Sequence, residues 1–346
     1  MESNLFRLSF IIPCFNAEKY LAECLDSIYQ QDVAENEYEV ICVNDGSTDH
    51  TRAIILDYQQ RHSTLQLIDL KEKRNSGEAR NTGLDYATGE FIWFVDADDK
   101  IKPNVLAKLM HICSENKLDE LIFNFDAIDE QGNQLEVKDL FSDTEVMNGI
   151  NYVQKYFKNR LSELSIIWRQ IYRTKYLKQN NIRFPAFTMG EDGPFAWKSL
   201  LLGERVCSVK DTFYIYRVNS FSLTNEFNHT PSIEKLFEKS FLFGKEVIAL
   251  AKEIKEKDNE LALELNKIAA WNINCFTPTL LSKYGLKENR QFYRYCLSNQ
   301  WIIQEFNCFL NKKNSRILHL MNRNFLIWYA NILLEKYKTR VKNKIR

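Results

Sequence analysis

Four short runs of β-branched and aromatic residues, each followed by a stretch with helical spacing, constrain this chain more than any other feature. The runs are Leu8–Pro13 (LSFIIP), Tyr38–Asn44 (YEVICVN), Leu65–Leu70 (LQLIDL) and Glu90–Asp96 (EFIWFVD). Helical stretches lie near 17–31, 49–62, 77–87 and 103–116. A half-exposed strand alternates apolar and polar residues; these runs are nearly continuous, so both faces must be covered. Strand and helix in alternation predict an α/β protein with an open, mostly parallel sheet flanked by helices. A further strand is expected at Glu120–Ile128 and another at Thr212–Val218, with helices near 149–161, near 173–180 and after Asp192. From Pro231 onward the spacing is helical, with breaks near Pro278, Gly285 and Asn311–Ser315. At 346 residues the chain is expected to form two units.

Charge narrows the partners. Lys plus Arg equal Asp plus Glu, 46 against 46, so the chain is no polycation built for nucleic acid. The balance is uneven along the chain. Residues 312–346 carry ten basic residues and one acidic residue, Glu335, so that stretch is +9 and residues 1–311 are −9. Phe325, Trp328, Tyr329, Ile332 and Leu333 fall on one helical stripe ahead of the basic run 336–346. A basic amphipathic helix over 324–346 is expected, either lying on an anionic membrane surface or packed on the protein with a solvated tail. The longest apolar run, Phe325–Leu334, is about half the ~20 residues of a spanning helix. The N-terminus lacks the basic-then-apolar pattern of a signal peptide. The eight cysteines form no CxxC pair and sit in apolar surroundings, as reduced core thiols do. The five histidines show no metal-ligand spacing. Trp93 and Trp197 are expected in the core or on the wall of a binding site.

Ligands of open α/β sheets bind at the carboxyl ends of the strands. After the first strand comes Pro13-Cys14-Phe15-Asn16-Ala17-Glu18, and after the second Asn44-Asp45-Gly46-Ser47. The third turn leads into Gly77-Glu78-Ala79-Arg80-Asn81, and the fourth strand runs out in Asp96-Ala97-Asp98-Asp99. The first turn has no glycine, so the GxGxxG dinucleotide fingerprint is missing, and no GxxxxGK[ST] phosphate loop occurs. Asp96 and Asp98, one residue apart at the end of a buried strand, can converge on Mg2+ or Mn2+, with phosphate oxygens completing the shell. The plain alternative is a solvated turn whose aspartate caps the next helix. Asp45 suits either a turn before glycine or a carboxylate for a base N–H or ribose hydroxyl. Phe15 is a core aromatic or a stacking face. Arg80 has no salt partner evident in the sequence, and its planar fork suits a phosphate.

FIIPCFNAEKYLAECLDSI, VNDGSTDHT, NSGEARNTGLDYATGEFIWFVDADD, GEDGPFAWKSLL and YIYRVNSFSLT, in that order and spacing, resemble the family 2 glycosyltransferases. The resemblance covers roughly residues 7–225 and not 226–346. It implies a GT-A fold in residues 1–225, with a nucleotide-sugar half over about 1–110 and an acceptor half over 111–225. Residues 226–346 are then a helical extension. It places Pro13, Phe15, Asn16 and Glu18 around the nucleoside and Asp45 at the base. Residue 15 is often Tyr in the family and here is Phe; the frequent Asp-Asp pair is here Asn44-Asp45. Arg80 falls near the diphosphate and base. Asp98 is implied as the metal ligand and Asp96 as the residue nearer the ribose, with Arg217 and Ser220–Ser222 in a loop closing over the donor. Asp192, after Gly190-Glu191, is implied as general base; capping of the following helix, with Pro194 in its first turn, is the plain reading.

The resemblance thus implies an inverting, metal-dependent enzyme that moves a sugar from a nucleotide-diphosphate donor, a UDP-sugar by family frequency, to a glycan or lipid-linked hydroxyl. It also implies a cytoplasmic setting, peripheral on the inner face of a bacterial membrane. Two rivals are weighed. A nucleotidyltransferase needs a glycine-rich basic first loop, which CFNAEKY is not. A degenerate transferase kept as a nucleotide-sugar-binding subunit fits poorly with an intact set of acidic residues.

Overall fold

The computed structural model describes residues 6–186, 190–219 and 233–274, and two isolated helical positions, 290 and 294. The chain divides into two compact units, Met1–Ser222 and Leu223–Arg346.

The first unit opens with β1 (Leu8–Cys14), α1 (Leu21–Tyr29), β2 (Tyr38–Asp45), α2 (Thr51–Arg61), β3 (Leu65–Leu70), α3 (Ser76–Tyr86) and β4 (Phe91–Phe94). It continues with β5 (Lys100–Ile101), α4 (Leu106–Glu115), β6 (Glu120–Ile128), β7 (Gln134–Leu135), α5 (Gly149–Tyr156), β8 (Gln170–Arg173), α6 (Thr174–Gln179), α7 (Asp192–Leu202) and β9 (Val206–Arg217). One sheet runs β3-β2-β1-β4-β8-β6-β9-β5, with β7 on β6. The β3-β2-β1-β4 half is wholly parallel, and the long β6–β9 pair is parallel too. Antiparallel β8 joins the halves by pairing with both β4 and β6.

Burial explains the unbroken apolar runs. Along β1, Phe10 and Ile12 enter one core with Cys42, Trp93 and Leu106, while Ile11 enters the opposite core with Ile41, Phe94 and Leu84. Helices cover both faces, so neither face of β1 or β2 is free to be polar. Gly83 lets α3 lie close on β1, because a Cβ there would stand 2.4 Å from Ile11 Cγ2. Pro13 is tolerated in a central strand for a local reason. Ile11 O accepts from Val95 N on the β4 side, and Pro13 faces the same way, beyond the last β1–β4 register pair, Ile11–Phe94. Its missing N–H therefore removes no ladder bond.

Several boundaries differ from the sequence reading. The fourth strand is shorter (Phe91–Phe94), the last strand begins earlier (Val206), and α5 stops at Tyr156. The short strands β5, β7 and β8 were not expected at all; runs of two to four residues carry no readable period. In the second unit, α8 (Ile233–Ile254) and α9 (Asn259–Asn274) agree with the helical spacing. The breaks near 278, 285 and 311–315 and the basic stretch 324–346 lie outside the described residues. Among the described residues no helix is long and apolar enough to cross a membrane. The five described cysteines are buried and free.

Candidate active site

The turns after β1, β2 and β4 and the starts of α3 and α7 carry the residues singled out above. Phe15 is 37% exposed, with Lys73 Nζ 3.5 Å from its ring centroid. Asn16 has φ 48°, a left-handed backbone that Asn tolerates better than most residues. Its N–H donates to Ser47 Oγ (3.1 Å) and its Oδ1 accepts from Thr48 N (2.9 Å), locking the first turn to the second. Gly46 has φ 69°, and a Cβ there would meet Lys73 N at 2.7 Å. That close passage lets Arg74 N donate to Asp45 Oδ1 at 2.7 Å. Burial raises the pKa of Asp45. Glu18 points elsewhere. It is exposed, accepts from His50 N (2.9 Å) and meets His50 Nδ1 at 2.7 Å, which closes the turn onto α2 rather than opening toward a ligand.

Arg80 has salt partners that its sequence neighbourhood does not show. Asn75 caps α3 by accepting from Glu78 N (2.8 Å), and this fixes the helix start one turn before Arg80. Arg80 is only 4% exposed and sits among three carboxylates. Nη2 donates to Asp96 Oδ1 (2.8 Å), Nη1 donates to Asp192 Oδ1 (3.0 Å), and Glu191 Oε1 is 3.5 Å from Nη1. Burial by itself lowers an arginine pKa; Asp192, Asp96 and Glu191 outweigh it, so Arg80 stays charged.

Glu191 occupies the N-cap position of α7, yet its side chain makes no capping bond. Its Oε1 accepts from Ser76 Oγ instead. Asp192 lies in the first turn of α7, where the helix dipole favours an anion. Loss of solvent outweighs that and the pull of Arg80, and Glu191 and Asp96 add to the rise, so its pKa reaches about 7. The side chain still keeps 37% of its surface open. A partly open carboxyl that titrates near neutrality can take a proton from a bound hydroxyl.

Asp98 and Asp99 face β9. Asn219 Nδ2 donates to Asp98 Oδ2 (2.6 Å). Asp99, 1% exposed, accepts from Tyr214 Oη (2.7 Å) and Arg217 N (2.7 Å). Burial, then the neighbouring carboxylates, raise the pKa of both. Arg217 also departs from expectation. It is the last residue of β9 rather than part of a closing loop, it is 4% exposed, and its guanidinium binds Glu23 Oε2 (2.8 Å) and Asp98 O (3.1 Å). Ser220–Ser222 lie outside the described residues. Trp93 and Trp197 are core residues, 0% and 3% exposed. Glu191, Asp99 and Tyr214 carry much of the geometry without having been singled out as site residues. The run of acids after Asp96 and the pair before α7 were the available signals.

Among the described residues no group of three or more His, Cys, Asp or Glu side chains is arranged to hold a metal by itself. The charge of the site nonetheless fits a divalent ion. Asp96, Asp98, Asp99, Glu191 and Asp192 face only the guanidiniums of Arg80 and Arg217 here, and Asp98 forms no ion pair among the described residues. A hard cation with carboxylate and phosphate oxygens suits that donor set.

Comparison with known proteins gives the family. The profile of Glycosyl transferase family 2 matches residues 9–189. The chain is 29% identical to the uncharacterized glycosyltransferase EpsJ of Bacillus subtilis over 242 residues, 68% of this chain and 67% of that one. It is 31% identical over 278 residues to the Staphylococcus aureus poly(ribitol-phosphate) beta-N-acetylglucosaminyltransferase TarS, 76% of this chain but only 44% of TarS. The crystal structure of TarS 1–349 with UDP-GlcNAc superposes with a TM-score of 0.65 at 25% identity, covering 97% of this chain and 92% of that one. A Pyrobaculum calidifontis mannosyltransferase in complex with GDP-Man and Mn2+ shares the fold, with a TM-score of 0.51 at 16% identity, covering 96% of this chain and 87% of that one. The open α/β sheet is thus GT-A-like, and the chain belongs to glycosyltransferase family 2.

Proposed function

We propose that the protein transfers a sugar from a UDP-sugar to a hydroxyl of a glycan or lipid-linked acceptor, with inversion at the anomeric carbon. The observation that carries this reading is the Arg80 bridge. One buried guanidinium holds Asp96, at the donor turn, and Asp192, a half-open acid with a pKa of about 7. In this reading the acceptor oxygen attacks the anomeric carbon while its proton passes to Asp192. The bond to the diphosphate breaks as the new bond forms, and the nucleoside diphosphate leaves with the electron pair. Arg80 aims the Asp192 carboxylate and keeps it from drifting onto the acids beside it. A divalent ion, Mn2+ or Mg2+, would be held by Asp98 with Asp96 and would neutralise charge on the leaving diphosphate. Phe15, Asn16 and Asp45, with Pro13 behind them, line the nucleoside; Glu18 and Arg217 act by bracing the first turn and the aspartate turn.

Residues 1–110 are assigned to the donor, 111–225 to the acceptor and 226–346 to a helical extension. The +9 stretch within 312–346 supports docking of residues 324–346 on anionic lipid at the cytoplasmic face of the membrane. Unchanged liposome co-sedimentation after removal of those residues would discard that part.

The experiment is calorimetry of UDP, GDP, CDP and dTDP with and without Mn2+, on the parent and on Asp192→Asn. Metal-dependent UDP binding is expected in both. The variant loses about 10²–10⁴-fold in transfer rate, the share a positioned base supplies. The parent rate rises with pH through about 7, as Asp192 gives up its proton. Binding of none of the four nucleotides overturns the donor assignment.

A further inference from the structure

The turn that carries Asp96, Asp98 and Asp99 is held largely from one direction. Tyr214 Oη donates to Asp99 Oδ2 (2.7 Å) and accepts from Asp96 N (3.1 Å), so one hydroxyl ties both ends of the turn. Three residues on, Arg217 N donates to Asp99 Oδ1 (2.7 Å) and Arg217 Nε to Asp98 O (3.1 Å). Asn219 Nδ2 then donates to Asp98 Oδ2 (2.6 Å). All of these groups belong to the end of β9 or the two residues after it. The clamp is itself rigid. Tyr214 is fully buried, with Trp168 stacked on it at 4.6 Å and 15°. Arg217 is anchored by Glu23 Oε2 (2.8 Å) and lies over the Tyr20 ring at 4.5 Å.

The clamp fixes the acids without neutralising Asp98. Arg217 forms its ion pair with Glu23 and bonds the turn through its Nε and backbone N–H. Asn219 brings a neutral donor to one oxygen of Asp98 and leaves the other without a cation. A carboxylate oriented by hydrogen bonds, yet without an ion-pair partner, is what an oxygen-loving ion requires.

We propose that the end of β9 is the outer shell of the divalent-metal site: Tyr214 is a positioning residue that sets the aspartate turn, and Asn219 occupies Oδ2 of Asp98 so that its second oxygen faces the ion. This inference rests on the metal-assisted reading above. Neither residue touches substrate or ion in it. Both act through the acids they hold.

The test is Mn2+ uptake in the presence of UDP, followed by loss of the free-ion electron paramagnetic resonance signal, for the parent, Tyr214→Phe and Asn219→Ala. Removal of an outer-shell partner typically costs about 10–100-fold in metal affinity, and that loss is expected in both variants. The thermal midpoint of Asn219→Ala stays at the parental value. The Mn2+ concentration for half-maximal rate rises in parallel, while the rate at saturating Mn2+ recovers, a split that general loosening of the fold does not produce. Should Tyr214→Phe not fold, Asn219→Ala carries the test alone. Parental Mn2+ affinity in the folded variants overturns the inference and leaves the metal reading intact. A parent that binds UDP but takes up no Mn2+ overturns both.

Discussion

The acid cluster around Arg80 and the aspartate turn backed by β9 hold similar groups in opposite ways. In the first, one buried guanidinium answers Asp96, Asp192 and Glu191. In the second, Asp98 and Asp99 receive hydrogen bonds from an amide, a phenol and a backbone N–H, and Asp98 has no ion-pair partner among the described residues. The difference teaches that two aspartates separated by one residue need not act as a symmetric claw. Asp96 is compensated from within the protein; Asp98 is oriented and has no ion pair among the described residues. An arrangement of this kind suits a visiting cation that Asp98 leads in holding, while Asp96 is linked through Arg80 to Asp192.

The largest expected effect breaks the first region. Arg80→Ala removes the only cation bonded to Asp96 and Asp192 among the described residues and leaves the buried Glu191 and two partly open aspartates unanswered. Loss of one partner of a buried ion pair costs about 3–5 kcal/mol, so urea denaturation should show a drop of that order. A loss under about 1 kcal/mol would mean that the cluster is solvated and the contrast false.

A further buried acid calibrates the comparison. Glu120 on β6 is 0% exposed, accepts from Ser199 Oγ (2.5 Å) through one oxygen, and has no partner on the other. Burial pushes its pKa from 4.5 to about 8. Above 4.5 the unfolded chain releases this proton while the folded protein keeps it until about 8. The unfolded state then binds fewer protons, so this group makes stability fall as pH rises across that window and become level above it. Glu120→Gln should therefore stabilise at pH 8 by on the order of 1–3 kcal/mol and gain much less near pH 4.5. Chemical denaturation at the two pH values checks this, and a gain independent of pH would contradict it.

Asp98→Asn should have the smallest effect on stability, within about 1 kcal/mol and toward stabilisation, because burial and the Asp96 charge already disfavour its ionised form. The same variant should lose UDP-dependent Mn2+ binding. A large loss of stability with metal binding kept would exchange the roles of the two regions.

Much of the fold was legible because burial on both faces forces an apolar run, and β1, β2 and β4 show it. The bridging strand β8 was not, since four residues carry no period and its place depends on pairing with both β4 and β6. The location of the site was legible at strand ends, where Asp45, Asp96 and Asp98 were picked out. Its electrostatics were not. Arg80 meets Asp96 across 16 residues and Asp192 across 112, and no local spacing encodes the second pair.

The sequence by itself determined which segments are strands and helices over most of the first unit, and which short turns carry acids. Those properties follow from the period of apolar residues and from strand ends, both local. Only the tertiary structure decided that Arg80 serves three carboxylates, that Arg217 braces a turn from the end of a strand, and that Glu18 closes onto His50. Each of those outcomes is a matter of distance between groups far apart in the chain. Coulomb energy and desolvation depend on that distance and on burial, neither of which is a property of any stretch of sequence taken alone.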